Sequence, residues 1–150
     1  MKIFYSLFLL ACVTLLGCKK EGLSVATDTA KLTGTWELRH TLGVQIANAP
    51  SDFAAGNGSV ITFENSRYDK ISQGKVYDSG TYSIEEKQSQ VDGEEYNKVM
   101  ILNSDANKNN PDKNWRVSFK IVNDQLLMAY GSIASDGFTD TYKKLNDTNK

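Results

Sequence analysis

The feature that most constrains the fold of this chain is period-two alternation broken by closely spaced turn residues. In Gly34–Leu42, Trp36, Leu38, His40 and Leu42 fall on one face of an extended strand, and Thr35, Glu37, Arg39 and Thr41 on the other. In Asn114–Val122, Trp115, Val117, Phe119 and Ile121 oppose Arg116, Ser118 and Lys120. Each pattern describes a strand with one buried and one wet face. Six further segments carry β-branched and aromatic residues between turn signals: Ser59–Glu64, Arg67–Ser72, Ser79–Glu85, Glu95–Leu102, Gln125–Tyr130 and Gly137–Leu145. The breakers between them are short, among them Asn65-Ser66, Gln73-Gly74, Asp92-Gly93 and Asn123-Asp124. Helical periodicity is scarce; the best candidate is the short Pro50–Gly56. Short links favour pairing of sequential strands, and closing the sheet removes its open edges. The expected fold is all-β, an eight-stranded antiparallel up-and-down barrel, with a two-sheet β-sandwich as the alternative.

The start of the chain has a different character. Lys2 is followed by an apolar run from Ile3 to Leu16, broken only by Ser6 and Thr14. A basic start with a short apolar core describes an export signal, and the run is shorter than the ~20 residues of a membrane-spanning helix. Leu15-Leu16-Gly17-Cys18 resembles a bacterial lipobox. That resemblance implies cleavage after Gly17 and acylation of Cys18 at its thiol and new amino group, a stable multi-chain anchor. The residue after the cysteine is Lys19, not an aspartate that would mark retention at an inner membrane. The expected location is therefore the cell envelope, at the outer membrane, on its periplasmic face or the cell surface. Three parts follow: a lipoprotein signal at 1–17, a lipidated N-terminus and polar tether at 18–31, and a barrel domain at 32–150. A tether of a dozen residues spans ~20 Å by random-coil scaling.

Composition then removes several classes of function. With 17 Lys+Arg against 18 Asp+Glu, the net charge of −1 lacks the basic excess of a nucleic-acid binder. The single histidine, His40, and two cysteines confined to the first 18 residues leave too few parts for most His-based catalysis or zinc sites. No disulfide remains once Cys12 is removed and Cys18 acylated. Asp105-Ala106-Asn107-Lys108-Asn109-Asn110-Pro111-Asp112 begins like a calcium loop, but Asn110 and Arg116 stand where such a loop needs glycine and glutamate. It reads as a solvated turn, as do Glu85-Glu86 and Glu94-Glu95 at a hairpin tip. No Gly-X-Ser-X-Gly motif occurs. The chain is expected to be no enzyme, with no catalytic residues, no metal and no cofactor.

Lys31-Leu32-Thr33-Gly34-Thr35-Trp36-Glu37-Leu38 resembles the Gly-X-Trp opening of the lipocalin superfamily, in the form found in bacterial lipocalin-like lipoproteins. The resemblance implies that Gly34 turns the chain from a short helical turn into the first strand, and that Trp36 plugs the closed end of the barrel. Ser79-Gly80-Thr81-Tyr82-Ser83-Ile84 is similar to the mid-barrel Gly-X-Tyr strand of these relatives. Where lipocalins often stack an arginine on the tryptophan, this chain has Lys143 and Lys144.

An eight-stranded barrel is at the size where side chains either fill the interior or leave room for one small ligand. If a cavity exists, Tyr68, Tyr82, Met100, Phe119 and Met128 are its candidate lining, suited to an apolar or amphipathic small molecule. The loops around Ala47–Gly58 and Asn103–Lys113 would then gate it from the open end. If the interior is filled, the chain is a structural or interaction module that docks on an envelope protein. The partners expected are thus the membrane, through Cys18, and either a small hydrophobic ligand or an envelope protein.

Overall fold

The computed structural model describes residues 29–145. The export signal, the lipobox and Cys18 lie outside them. Eight strands run in sequence order: β1 (Gly34–Leu42), β2 (Ser59–Glu64), β3 (Arg67–Ser72), β4 (Lys75–Val91), β5 (Glu94–Ser104), β6 (Trp115–Val122), β7 (Gln125–Ala129) and β8 (Thr139–Lys144). Each pairs antiparallel with the next, and β8 returns to β1, so the sheet closes into an up-and-down barrel. The two-residue turns Asn65-Ser66 and Asn123-Asp124 take positive φ throughout, the backbone that matches the twist of a tight hairpin. Gln73-Gly74 and Asp92-Gly93 do the same with a glycine second.

The interior is packed. Leu32, Ile61, Phe63, Met100, Leu102, Val117, Leu126 and Met128 are fully buried, in one cluster with Trp36, Tyr68, Tyr82, Phe119, Tyr130 and Tyr142. Gly80 lies where β4 and β5 nearly touch: a Cβ there would sit 2.0 Å from the Asn103 carbonyl oxygen. No side chain larger than hydrogen fits without separating the two strands.

Four sequence expectations need correction. Pro50–Gly56 is not helical; Asp52 instead forms a β-bridge to His40. The polar tether does not extend to residue 31, because residues 29–32 form a helical turn whose Leu32 is fully buried. In β1 the register to β8 shifts between Leu38 and His40. This bulge reverses the alternation, so Thr41 is buried and Leu42 is 53% exposed, the opposite of the expected faces. The β4–β5 hairpin is also longer than its apolar pattern, with β4 running to Val91 and β5 from Glu94.

Candidate functional site

The two ends of the barrel differ in chemistry. At one end the indole Nε1–H of Trp36 donates to the Leu32 carbonyl at 2.7 Å. Lys144 Nζ stands 5.1 Å from the Trp36 ring and donates to the Lys31 carbonyl at 2.9 Å. Gly34, at φ 126°, makes the bend from the helical turn into β1, and a Cβ there would press on Lys144. Trp36 itself is 1% exposed. That end is sealed.

The opposite end carries the loops 43–58, 105–114 and 130–138. Just inside it is a set of charged and hydroxyl side chains. On β3, Tyr68 and Lys70 share the inward face by simple alternation. On β8, Asp140 and Tyr142 do the same. The β1 bulge adds Thr41, β4 supplies Asp78, and β5 supplies Ser104. Asp78 accepts hydrogen bonds from Ser104 Oγ at 2.6 Å and Tyr68 Oη at 3.1 Å. Asp140 accepts from Thr41 Oγ1 at 2.8 Å and Tyr142 Oη at 3.1 Å. Lys70 Nζ lies 4.0 Å from Asp78 Oδ2 and 5.3 Å from the centre of the Tyr130 ring. Tyr130 stacks on Phe138 at 4.4 Å and meets Trp115 edge-on at 5.6 Å.

Electrostatics follow from burial. Desolvation disfavours the Lys70 ammonium and lowers its pKa, against the pull of Asp78 and Asp140. Burial raises Asp140 above the ordinary carboxylate value, against its hydrogen bonds from Thr41 and Tyr142 and the charge on Lys70. One ammonium therefore serves two carboxylates, each already held by two hydroxyls. Such an arrangement holds charge at the mouth in a paired, half-buried network. Exposed apolar side chains occupy this end: Leu42, Val44, Ile46, Val76, Tyr77 and Trp115.

The five residues expected to line a ligand cavity do converge in the interior, but as core. Met100 and Met128 are fully buried, Tyr68 and Phe119 are 1% exposed, and Tyr82 is 6%. Phe63 packs edge-on against Tyr82 at 5.2 Å. The Tyr82 hydroxyl is buried with no hydrogen-bond partner among the described residues. A cleft of about 680 Å³ lies outside the barrel, between the β4–β5 hairpin and Lys120.

The remaining candidates are placed as follows. His40 Nδ1 is 2.9 Å from Asp52 Oδ1 in an exposed pair. Asp105 is held by Arg67 at 2.7 Å and Lys108 at 3.5 Å, so salt bridges occupy the acid that opens the calcium-like stretch. Among the described residues no three His, Cys, Asp or Glu side chains gather as metal ligands would. Glu85 pairs with Arg116 and Glu94 with Lys120 on the outer wall.

Sequence reasoning missed Lys70, Asp78 and Asp140. The parity of Tyr68 with Lys70, within a strand already read as such, was the available signal. No family model matches the chain, and neither a curated protein nor a solved structure matches it.

Proposed function

We propose that this protein is a lipid-anchored interaction module of the cell envelope: a filled barrel, held to the outer membrane through Cys18, that docks a partner protein through its loop-bearing end. The observation that carries the reading is the packed interior. The five side chains offered as a ligand lining belong to one buried cluster and leave at most 6% of their surfaces exposed, which favours docking over carrying a small molecule inside. Polarity of the ends supports the direction of docking. The chain enters the barrel at the Trp36 end, so an anchor on the preceding segment places that end toward the membrane and the opposite rim away from it. The rim is where Leu42, Val44, Ile46, Val76, Tyr77 and Trp115 remain exposed, and clustered apolar exposure marks interaction surfaces.

The test has two arms. The acylated full-length protein in detergent is titrated with a fluorescent fatty acid; the reading expects no saturable binding at micromolar protein. A photo-crosslinking residue at Val44 or Ile46, in envelope membranes of the native bacterium, is expected to capture one discrete protein, and the same probe at Lys87 is expected not to. Stoichiometric fatty-acid binding, displaced by unlabelled fatty acid, overturns the docking reading in favour of a small-ligand carrier.

A further inference from the structure

The β4–β5 hairpin is held differently from the rest of the wall. The paired positions of β5 with β6 run from Val99↔Ser118 to Leu102↔Trp115, and the β4–β5 ladder shifts register between Glu86 and Ser89. Beyond these points the hairpin turns onto the outer face of the barrel. There Ser89 Oγ meets Ser118 Oγ at 2.9 Å, and Lys120 reaches Glu94 and the Tyr96 ring. Among residues 85–97, Tyr96 alone is buried. Exposed ion pairs stabilise little. A segment with one buried side chain therefore opens more readily than the closed sheet beneath it.

The tip of the hairpin reaches the rim. Asp92 accepts a hydrogen bond from Ser132 Oγ at 2.8 Å and another from the Ile133 amide at 3.1 Å. Ile133 opens a short 3₁₀ turn, Ile133–Ser135, in the loop between β7 and β8. Its side chain lies against Gly43: a Cβ on Gly43 would sit 2.6 Å from Ile133 Cγ1. Gly43 also has φ 93°, so backbone and close approach both call for glycine there. Gln45 Nε2 stands 3.5 Å from the Ile133 carbonyl oxygen. Between and beside Gly43 and Gln45 are Val44 and Ile46, two of the exposed apolar side chains on which docking rests. Contacts thus run from the hairpin tip, through one residue, to the docking loop.

We infer that the β4–β5 hairpin is a detachable strap that braces the docking rim. With the strap closed, Asp92 fixes Ile133, and Ile133 fixes the loop 43–51. With it released, that loop moves freely while the barrel stays folded. Release exposes little surface, so it depends far less on urea than global unfolding does. A partner that recognises the braced rim binds the closed form better, and by linkage its binding holds the strap shut. The inference rests on the docking reading and adds its regulation: displacing the hairpin tip weakens attachment at the rim.

The test follows amide hydrogen exchange by NMR in the full-length protein in detergent. The Ile133 amide is expected to exchange at least about 100-fold faster than the slowest amides of β7 and β8, with a much weaker urea dependence. Asp92→Gly should speed exchange at Ile133. It should also speed, at least about fivefold, the Ala49 amide, which donates to the Ile46 carbonyl within the docking loop. Ile133→Ala should speed Ala49 by a similar factor. The double variant should match either single variant within about twofold, because both cut one chain of contacts. Photo-crosslinking from Val44 should fall at least about threefold in Asp92→Gly. The strap is overturned by an Ile133 amide that exchanges only with global unfolding, or by an Ala49 amide unprotected in the parent or unmoved by Asp92→Gly. Factors that multiply in the double variant, or capture from Val44 that Asp92→Gly leaves intact, overturn it too. A parent protein that captures nothing from the rim sinks docking and leaves the exchange results standing, so the two readings fail separately.

Discussion

Replacing Lys70 with methionine tests the electrostatics of the barrel mouth directly. The Lys70 and Asp78 side chains are 13% and 19% exposed, and their charges are 4.0 Å apart. At an effective dielectric near 20, a pair at that distance attracts by about 4 kcal/mol. Desolvating the ammonium cancels much of this, so the pair as a whole contributes little. Removing the cation alone is different, because Asp78 and Asp140 stay buried with only hydroxyl donors. Breaking a fully buried pair costs ~3–5 kcal/mol; allowing for partial exposure, Lys70→Met should cost about 2–3 kcal/mol at pH 7. Adding Asp78→Asn should return at least half of the loss, a coupling that a double-mutant cycle reads.

The pH dependence of that loss has a definite sign. Burial holds the folded-state pKa of Asp140 above its ordinary value, so the folded protein binds its proton more tightly than the unfolded chain. Stability from this group is therefore present in full below the ordinary carboxylate value of ~3.9 and is lost as pH rises through the folded pKa. Without Lys70 that folded value rises further. The penalty of Lys70→Met relative to the parent should shrink as pH falls from 7 toward 4. The assay is urea unfolding of parent, both single variants and the double variant at pH 7, 5.5 and 4.5. A Lys70→Met protein as stable as the parent at pH 7, or a penalty constant across that range, would refute the reasoning.

Other expectations rest on single contacts. Gly80→Ala should cost about 3 kcal/mol or more in urea unfolding, since its Cβ collides with the backbone of β5. Trp36→Phe strands the buried Leu32 carbonyl and should cost about 2 kcal/mol, with faster exchange at the Thr33 amide. Tyr82→Phe removes a buried hydroxyl that has no partner; thermal unfolding should show no loss, or a gain of up to about 1 kcal/mol, and a loss above 1 kcal/mol would mean that the hydroxyl holds a bound molecule. Asp92→Gly, which accepts the positive φ without strain, should leave the unfolding midpoint nearly unchanged while speeding exchange at the Ile133 amide, because it releases only the hairpin tip.

Much of the fold was legible because its strands are short and bounded by turn residues with unusual backbone. β1, β2 and β3 have the bounds that alternation and breakers indicate. β4 does not: its read extent, Ser79–Glu85, falls well inside Lys75–Val91. The distal part, Glu86-Lys87-Gln88-Ser89-Gln90, is a strand without a core-facing side, held by its ladder to β5 and by polar contacts to the outer wall. A pattern search tuned to one buried face does not see such a segment. The β1 bulge was equally hidden, since one inserted residue leaves no compositional trace while reversing the faces of Thr41 and Leu42.

The mouth cluster escaped for a subtler reason. Apolar side chains mark inward positions along a strand, and Lys70, Asp78 and Asp140 carry no such mark. A barrel end is the one place where that rule relaxes. The interior there is close enough to solvent for a charge to be tolerated, yet closed enough to demand partners, and Ser104, Tyr68, Thr41 and Tyr142 supply them. Eight strands give an interior that aromatic side chains can fill completely. Trp36, Phe63, Tyr68, Tyr82, Phe119, Tyr130 and Tyr142 do so from the sealed end upward. A filled bore leaves the rim as the surface on which the proposed docking rests: it carries exposed apolar side chains over a paired polar floor.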